Sequence, residues 1–97
     1  MATFLGIDFG TGGCKVTAVS DAGAILGEAG VEYGTMHPFP GWAEQNPEAW
    51  YPAMCAALKL LRGRGVDFSQ IAGIAFDGST HNAVLLDSAM RPVRHTI

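Results

Sequence analysis

The sequence is poor in charged residues and in cysteine, and each shortage excludes a class of protein. Charged residues make up 15% of the 97-residue chain, the net charge is −3, and no lysine or arginine cluster occurs, so nothing indicates nucleic-acid binding. Two cysteines, Cys14 and Cys55, are too few for a disulfide framework and lack the spacing of a CxxC metal site. Both lie in segments predicted to be buried, and we expect them to be reduced core thiols.

Long apolar runs are also missing. No run approaches the roughly 20 apolar residues that a membrane-spanning helix needs. The amino terminus has no basic segment followed by a long apolar stretch, which is the pattern of a signal peptide. These observations predict a soluble cytoplasmic protein with no membrane partner. The composition, 48% hydrophobic, is that of a globular chain, and its length suits one small domain.

The first third of the chain predicts three β-strands, at residues 3–8, 14–20 and 24–33. Apolar and β-branched residues dominate these runs, and glycine-containing turns separate them. Strands joined by two short turns form an antiparallel meander, which leaves exposed edges and needs another element packed on its face.

A helix with a conflict near its start is predicted next. Asn46 suits an N-cap and Pro47 suits the first helical position, while glycines end the apolar helical pattern after Leu61. Pro52 removes a helical hydrogen bond. We expect one helix with a bend at Pro52; the alternative is a short first turn, with the main helix beginning at Pro52.

Two further apolar runs complete the prediction. Residues 71–76 predict a buried strand, and residues 83–86 predict another strand after a polar loop. The order of three strands, a helix and then strands predicts an α/β fold with one mixed sheet.

The turn after the first strand is rich in glycine and threonine and follows a carboxylate. Glycine can adopt positive φ and lets backbone N–H groups approach an anion. Asp8 can hold Mg²⁺ or its waters, the Thr11 hydroxyl adds a donor, and Lys15 supplies positive charge. A hairpin with a loose glycine loop stays open as the alternative, because a Gly-rich loop alone is weak evidence. The predicted phosphate ligands are Asp8, Gly10, Thr11, Gly12, Gly13 and Lys15, with Asp8 also the metal ligand.

A second polar cluster lies at residues 77–82, directly after the predicted buried strand. Loops at such strand ends commonly form the binding cleft of α/β sheets. Most of these side chains donate or accept hydrogen bonds, which suits a polyhydroxylated ligand. An ordinary solvated Asp-Gly turn is the alternative.

Three segments resemble a known family. Gly6-Ile7-Asp8-Phe9-Gly10-Thr11, with Lys15 after it, resembles the first phosphate motif of the sugar-kinase, heat-shock-ATPase and actin superfamily. Residues 41–50, and residues 81–87 with Arg91-Pro92, resemble the FGGY carbohydrate kinases, most of all those that phosphorylate xylulose.

The resemblance implies a ribonuclease H-like (actin-like ATPase) fold and a kinase that uses ATP and Mg²⁺. Asp8 would hold Mg²⁺ through water, the glycine loop would line the β- and γ-phosphates, and Lys15 would lie near them. The implied sugar-binding residues are Asp77, Thr80, His81 and Asn82.

One departure from the family pattern concerns the sugar. The xylulose-phosphorylating members usually have Met before the sugar-binding His, where this chain has Thr80. The leading Asp77, with Ser79 and Thr80 after it, is more like the ribulokinase and ribitol-kinase side of the family. The substrate is therefore expected to be a ketopentose, with xylulose first and ribulose or ribitol as the alternative.

The resemblance covers all 97 residues, which would be the N-terminal portion of the first kinase domain. The catalytic Asp base and the adenine-binding segments are expected beyond residue 97, so this chain alone should lack kinase activity. The intact enzyme would bind a small-molecule sugar and ATP. A homodimer is one option for its oligomeric state. Two rival interpretations are an actin- or chaperone-like ATPase module and a non-catalytic α/β domain.

Overall fold

A computed structural model describes residues 1–80 and 82–97 of the chain. Its sheet contains β1 (Thr3–Phe9), β2 (Gly13–Ser20), β3 (Ile25–Glu32) and β4 (Ile71–Gly78), in the order β3-β2-β1-β4. β1 and β3 both pair antiparallel with β2, whereas β4 lies parallel to β1. The predicted meander and the mixed sheet are confirmed, with small differences at the strand ends.

The helical segment begins differently from the prediction. A 3₁₀ turn at Pro47–Ala49 precedes the α-helix α1 (Trp50–Gly63), so the prediction of one bent helix from Pro47 is wrong. Pro52 lies in the first turn of α1, where backbone N–H groups have no intrahelical acceptor, and proline is tolerated there. The predicted N-cap is confirmed: Asn46 Oδ1 accepts the Glu48 backbone N–H at 3.0 Å.

The hydrophobic core lies between α1 and one face of the meander. Strand side chains alternate between the two faces of a sheet, and in β1 and β2 every second residue is buried. Helix residues spaced four apart cover this face. The core side chains include Leu5, Ile7, Cys14, Val16, Ala18, Ala29, Ala53, Ala57 and Leu61. α1 does not cover the opposite face of the sheet.

The cysteine prediction is confirmed for one thiol. Cys14 is fully buried in the core, whereas Cys55 is half-buried, and both are free thiols.

β4 exists as predicted, but the prediction that it is buried is wrong. Ile74 is 53% exposed and Phe76 is 62% exposed. The reason is position: β4 lies at the edge of the sheet beside β1, whereas α1 packs against β2 and β3. Among the described residues, no helix covers this end of the sheet.

The prediction of a strand at residues 83–86 is also wrong. In the described part of this segment only Leu86 pairs, in an isolated antiparallel bridge with Pro92. The turn between them is closed by Asp87, whose carboxylate accepts the backbone N–H groups of Ala89 and Arg91. The four-residue apolar run adds no strand because it joins no neighbouring strand there.

No helix formed by the described residues is long and apolar enough to cross a membrane.

Candidate functional site

The open face of the sheet carries a row of charged side chains at the carboxyl end of β1. Asp8 is the register partner of Asp77 on β4 and of Lys15 on β2. All three belong to the face opposite the core, because strand side chains alternate and the neighbours Ile7 and Cys14 are buried. The row borders a groove of ≈ 320 Å³. Sheet pairing therefore brings Asp8 and Lys15 together as predicted.

Asp77 belongs to this row. A hydrogen bond with the Asp8 carboxyl raises the pKa of Asp77, with smaller contributions from desolvation and from the Asp8 charge. Two carboxyl groups in contact favour retention of a proton or the arrival of a cation. The predicted sugar ligand Asp77 thus lies beside the predicted metal ligand.

The two carboxylates suit a Mg²⁺ ion that keeps most of its waters, and they do not form a complete metal-binding cage. Within residues 1–80 and 82–97, no group of three or more His, Cys, Asp or Glu side chains is arranged to hold a metal ion. Mg²⁺ is usually held by one or two carboxylates, with waters and substrate phosphates as its other ligands. Asp8, with Asp77 beside it, provides donors of that kind.

Lys15 is loosely held on the same face. Its ammonium lies 3.6 Å from the Glu28 carboxylate, and both side chains are largely exposed. Exposed ion pairs contribute little free energy. The lysine can therefore turn toward an arriving phosphate at small cost.

The loop between β1 and β2, residues 10–12, has its carbonyl groups turned toward the protein. Tyr33 donates through its hydroxyl to the Gly10 carbonyl and through its backbone N–H to the Gly12 carbonyl, at 3.2 Å. The Thr11 carbonyl accepts from the Gln45 side-chain amide and from the Thr35 hydroxyl.

The loop amides consequently face outward. In a trans peptide the N–H points opposite to the carbonyl of the preceding residue, so the Gly10 and Thr11 carbonyls orient the N–H groups of Thr11 and Gly12. These two N–H groups have no acceptor among the described residues. Successive outward N–H groups form an anion-binding concavity.

The reason for glycine in this loop differs from the prediction. Gly10, Gly12 and Gly13 do not adopt positive φ. A Cβ at Gly13 would lie 2.6 Å from the Val31 carbonyl oxygen, so that position is fixed by strand packing. A Cβ at Gly12 would meet nothing within 4 Å, which leaves open space above the loop. Close approach, rather than a left-handed backbone, explains the glycines.

The second predicted cluster divides between two places. Thr80 and Asn82 border a pocket of ≈ 200 Å³ together with Thr11, so they lie beside the glycine loop. Asp77, in contrast, lies in the charged row. His81, the remaining predicted sugar ligand, lies outside the described residues.

The segment after β4 is anchored to the end of β1. The Ser79 N–H donates to the Phe9 carbonyl at 3.0 Å, and Asn82 Nδ2 donates to Ser79 Oγ at 2.7 Å. The buried Thr96 hydroxyl also borders the pocket and has no partner among the described residues. A polyhydroxylated ligand would find donors and acceptors here, adjacent to the loop.

Sequence reasoning underestimated three residues that hold the loop: Tyr33, Thr35 and Gln45. The antiparallel pairing of β2 with β3 places the end of β3 beside the start of β2, so the meander itself contained the signal for Tyr33. Gln45 donates to Thr35 in its own loop and to Thr11 in the glycine loop, and the contact with Thr11 has no local sequence signal.

Comparison with known proteins gives consistent matches. Residues 3–97 match the model of the FGGY family of carbohydrate kinases, N-terminal domain. The xylulose kinase of Staphylococcus xylosus is 35% identical over 97 residues, which cover 100% of this chain and 20% of that protein. The xylulose kinase of Lactococcus lactis is 37% identical over 94 residues, 96% of this chain and 19% of that protein.

A solved structure agrees. The xyloylose kinase of Brucella ovis superposes with a TM-score of 0.92 and 38% identity, over 98% of this chain and 20% of that chain. The chain thus spans about 20% of the length of the proteins it matches. The predicted ribonuclease H-like, actin-like ATPase fold class is confirmed by these neighbours.

Proposed function

Because the chain belongs to the FGGY family of carbohydrate kinases, we propose that it is the N-terminal portion of the first domain of an ATP-dependent ketopentose kinase. The proposed reaction transfers the γ-phosphate of ATP to a sugar hydroxyl. Identity of 35% and 37% to two xylulose kinases favours xylulose as the sugar.

The observation that carries this proposal is the orientation of the glycine loop. Its carbonyls are held inward by Tyr33 and Gln45, and the N–H groups of Thr11 and Gly12 are left outward beside Asp8. In phosphoryl transfer the protein mainly positions groups and neutralises charge. We assign the loop to the β- and γ-phosphates, with Gly10 and Gly13 as its two ends.

The charged row fits the cation that accompanies ATP. Asp8 would hold Mg²⁺ directly or through water, and bound Mg²⁺ would neutralise charge on the phosphates. Lys15 would add positive charge from the next strand. A non-catalytic domain would have no use for this combination of outward amides, carboxylate and lysine around one strand end.

For the sugar we propose the polar pocket beside the loop. Thr80 and Asn82 line it, and its contact with Thr11 would place a sugar hydroxyl near the terminal phosphate. His81 and Asp77 keep their proposed sugar-binding roles. A ribulose or ribitol kinase is the second candidate, because the segment from Asp77 to Thr80 resembles the ribulokinase and ribitol-kinase side of the family.

The whole enzyme requires more than these 97 residues. We propose that the catalytic base and the adenine-binding segments belong to the larger part of the protein, and that the full-length enzyme is cytoplasmic, with a homodimer as an option. Domain closure around both substrates would exclude water and limit ATP hydrolysis.

The test is ADP release by the full-length protein with Mg-ATP and a panel of xylulose, ribulose, ribitol and glycerol. Xylulose should give the highest kcat/KM, and the isolated 97-residue chain should show no sugar-dependent turnover. ATP consumption that no sugar stimulates would contradict the proposal and favour a chaperone- or actin-like module.

A further inference from the structure

Gln45 connects the helix to the glycine loop through its side-chain amide. Its Oε1 accepts the indole N–H of Trp50 at 3.1 Å. Its Nε2 donates to the Thr11 carbonyl and to the Thr35 hydroxyl, the latter at 3.1 Å. Thr35 in turn donates to the same Thr11 carbonyl at 3.3 Å, so the contacts form a closed set.

The partners fix which way round the amide lies. The Trp50 indole nitrogen can only donate, and the Thr11 carbonyl can only accept. The amide oxygen must therefore face Trp50 and the amide nitrogen must face the loop. A reversed amide would place donor against donor and acceptor against acceptor.

Gln45 has no donor left for a substrate. Both N–H bonds of its amide are used within the protein, one by Thr11 and one by Thr35. Gln45 borders the pocket that we assign to the sugar, but with both donors engaged its side chain is suited to hold the loop rather than to bind sugar or phosphate directly.

The residue itself is held from two sides. Its backbone exchanges two hydrogen bonds of 2.8 Å with Thr96, and its partner Trp50 begins α1. The adjacent Glu44 pairs with Arg94. The Thr11 carbonyl is consequently connected, through Gln45, to the first residue of α1.

We propose that Gln45 is a positioning residue for nucleotide binding: by holding the Thr11 carbonyl inward it keeps the N–H of Gly12 directed at the phosphates of ATP. This inference rests on the proposed function. Gln45 acts through the peptide group it holds and does not touch the nucleotide.

The test compares three variants of the full-length enzyme by steady-state kinetics. Gln45→Met keeps the length of the side chain but removes both polar atoms. Gln45→Glu keeps an acceptor for Trp50 but cannot donate to Thr11. Gln70→Met is the matched control, because Gln70 is exposed and directly precedes the end of β4 that pairs with Thr3, at the other end of β1 from the loop.

Losing the loop hydrogen bond should raise KM for ATP about tenfold in Gln45→Met and at least as much in Gln45→Glu, while KM for the sugar changes by less than about twofold. Gln70→Met should match the wild type. In the full-length enzyme, both Gln45 variants should also shift the amide NMR signals of Thr11 and Gly12.

The possible outcomes distinguish a failure of the proposed function from a failure of the proposed role of Gln45. A wild type that binds no Mg-ATP would overturn the proposed function, and with it the role of Gln45. A wild type that binds, with Gln45 variants whose KM values for ATP equal that of Gln70→Met, would overturn the role of Gln45 alone. Equal increases in KM for ATP and sugar would also overturn it, because Gln45 borders the sugar pocket as well and such a result would not single out the phosphates.

Discussion

At the scale of single residues, Gly12 and Gly13 are neighbours in the chain with different reasons to be glycine. Gly13 lies where its Cβ would enter the backbone of β3, whereas Gly12 faces open space. The first requirement concerns folding and the second concerns what binds above the loop. Composition alone does not distinguish them.

Gly13→Ala should therefore lower the free energy of unfolding by about 1–3 kcal/mol, because the added methyl forces two paired strands apart. Gly12→Ala should change it by less than about 0.5 kcal/mol, since nothing opposes the methyl and its φ is not positive. Urea denaturation of both variants measures this difference. Equal losses of stability would contradict the assignment of Gly13 to packing.

The same pair separates stability from binding. Gly12→Ala places a methyl where we assign the phosphates, so it should weaken Mg-ATP binding by about tenfold in a well-folded protein. Titration calorimetry of the full-length variant measures this effect. Unchanged affinity would place the nucleotide elsewhere.

The carboxyl pair predicts a pH dependence. The hydrogen bond with Asp8 raises the pKa of Asp77 above its value in the unfolded chain, so the folded state binds this proton more tightly. The free energy of unfolding should fall as pH rises from the ordinary aspartate pKa through the raised one. Relative to Asp77→Asn, the wild type should lose stability across that window without divalent cations.

Asp67 provides a control of opposite sign. Its carboxylate caps the turn at Phe68–Gln70, and hydrogen bonds from the Ser69 hydroxyl and backbone N–H lower the pKa of Asp67. Its contribution is present above the ordinary aspartate pKa and is lost as pH falls through the lowered one. The measurement is the difference in denaturation midpoint between the wild type and Asp67→Asn, and between the wild type and Asp77→Asn, as a function of pH. If the two differences change with pH in the same direction, both assignments are contradicted.

At the scale of elements, α1 stabilises the chain through one stripe of side chains. Leu61 is fully buried, against the sheet at Gly27, while its neighbour Leu60 is 45% exposed. Leu61→Ala should cost about 2–5 kcal/mol of unfolding free energy, because it leaves a cavity between helix and sheet. Leu60→Ala should cost less than about 0.5 kcal/mol. Thermal unfolding of the two variants compares them, and similar losses would show that the helix packs differently.

Elements with local signals could be predicted, and elements that depend on distant neighbours could not. The meander followed from apolar runs separated by glycine turns, and the helix start followed from Asn46 and Pro47. The exposure of residues 71–76 could not be predicted, because apolar content indicates a strand without showing whether another element covers it. Residues 83–86 show the same limit, since a strand needs a neighbour with which to pair.

Some contacts of the candidate site could likewise be predicted from local sequence, and others could not. Asp8, the glycine loop and Lys15 are close in sequence and follow from one hairpin, so their proximity could be predicted. The contacts of Gln45 with Thr11, and of Asp77 with Asp8, join residues far apart in the chain. The contact of Asp77 follows from the sheet order and that of Gln45 from the packing of the segment before α1, and the local sequence specifies neither.

At the scale of the whole molecule, the 97 residues leave one end of the sheet apolar and open. Ile74, Phe76 and Leu85 are all more than half exposed. Exposed apolar patches and strand edges favour association. The isolated chain should therefore self-associate as its concentration rises, and Phe76→Lys should shift it toward the monomer in analytical ultracentrifugation. Wild-type chain that stays monomeric at high concentration would contradict this prediction.

The account rests on the proposal that the end of β1 holds the phosphates of ATP. The most direct measurement is a titration of the ¹⁵N-labelled full-length protein with Mg-ATP, followed by amide NMR. We predict saturable shifts centred on Thr11 and Gly12 that are strongly reduced in Asp8→Asn. Shifts centred elsewhere, or loop signals that stay unchanged at saturating nucleotide, would contradict the account.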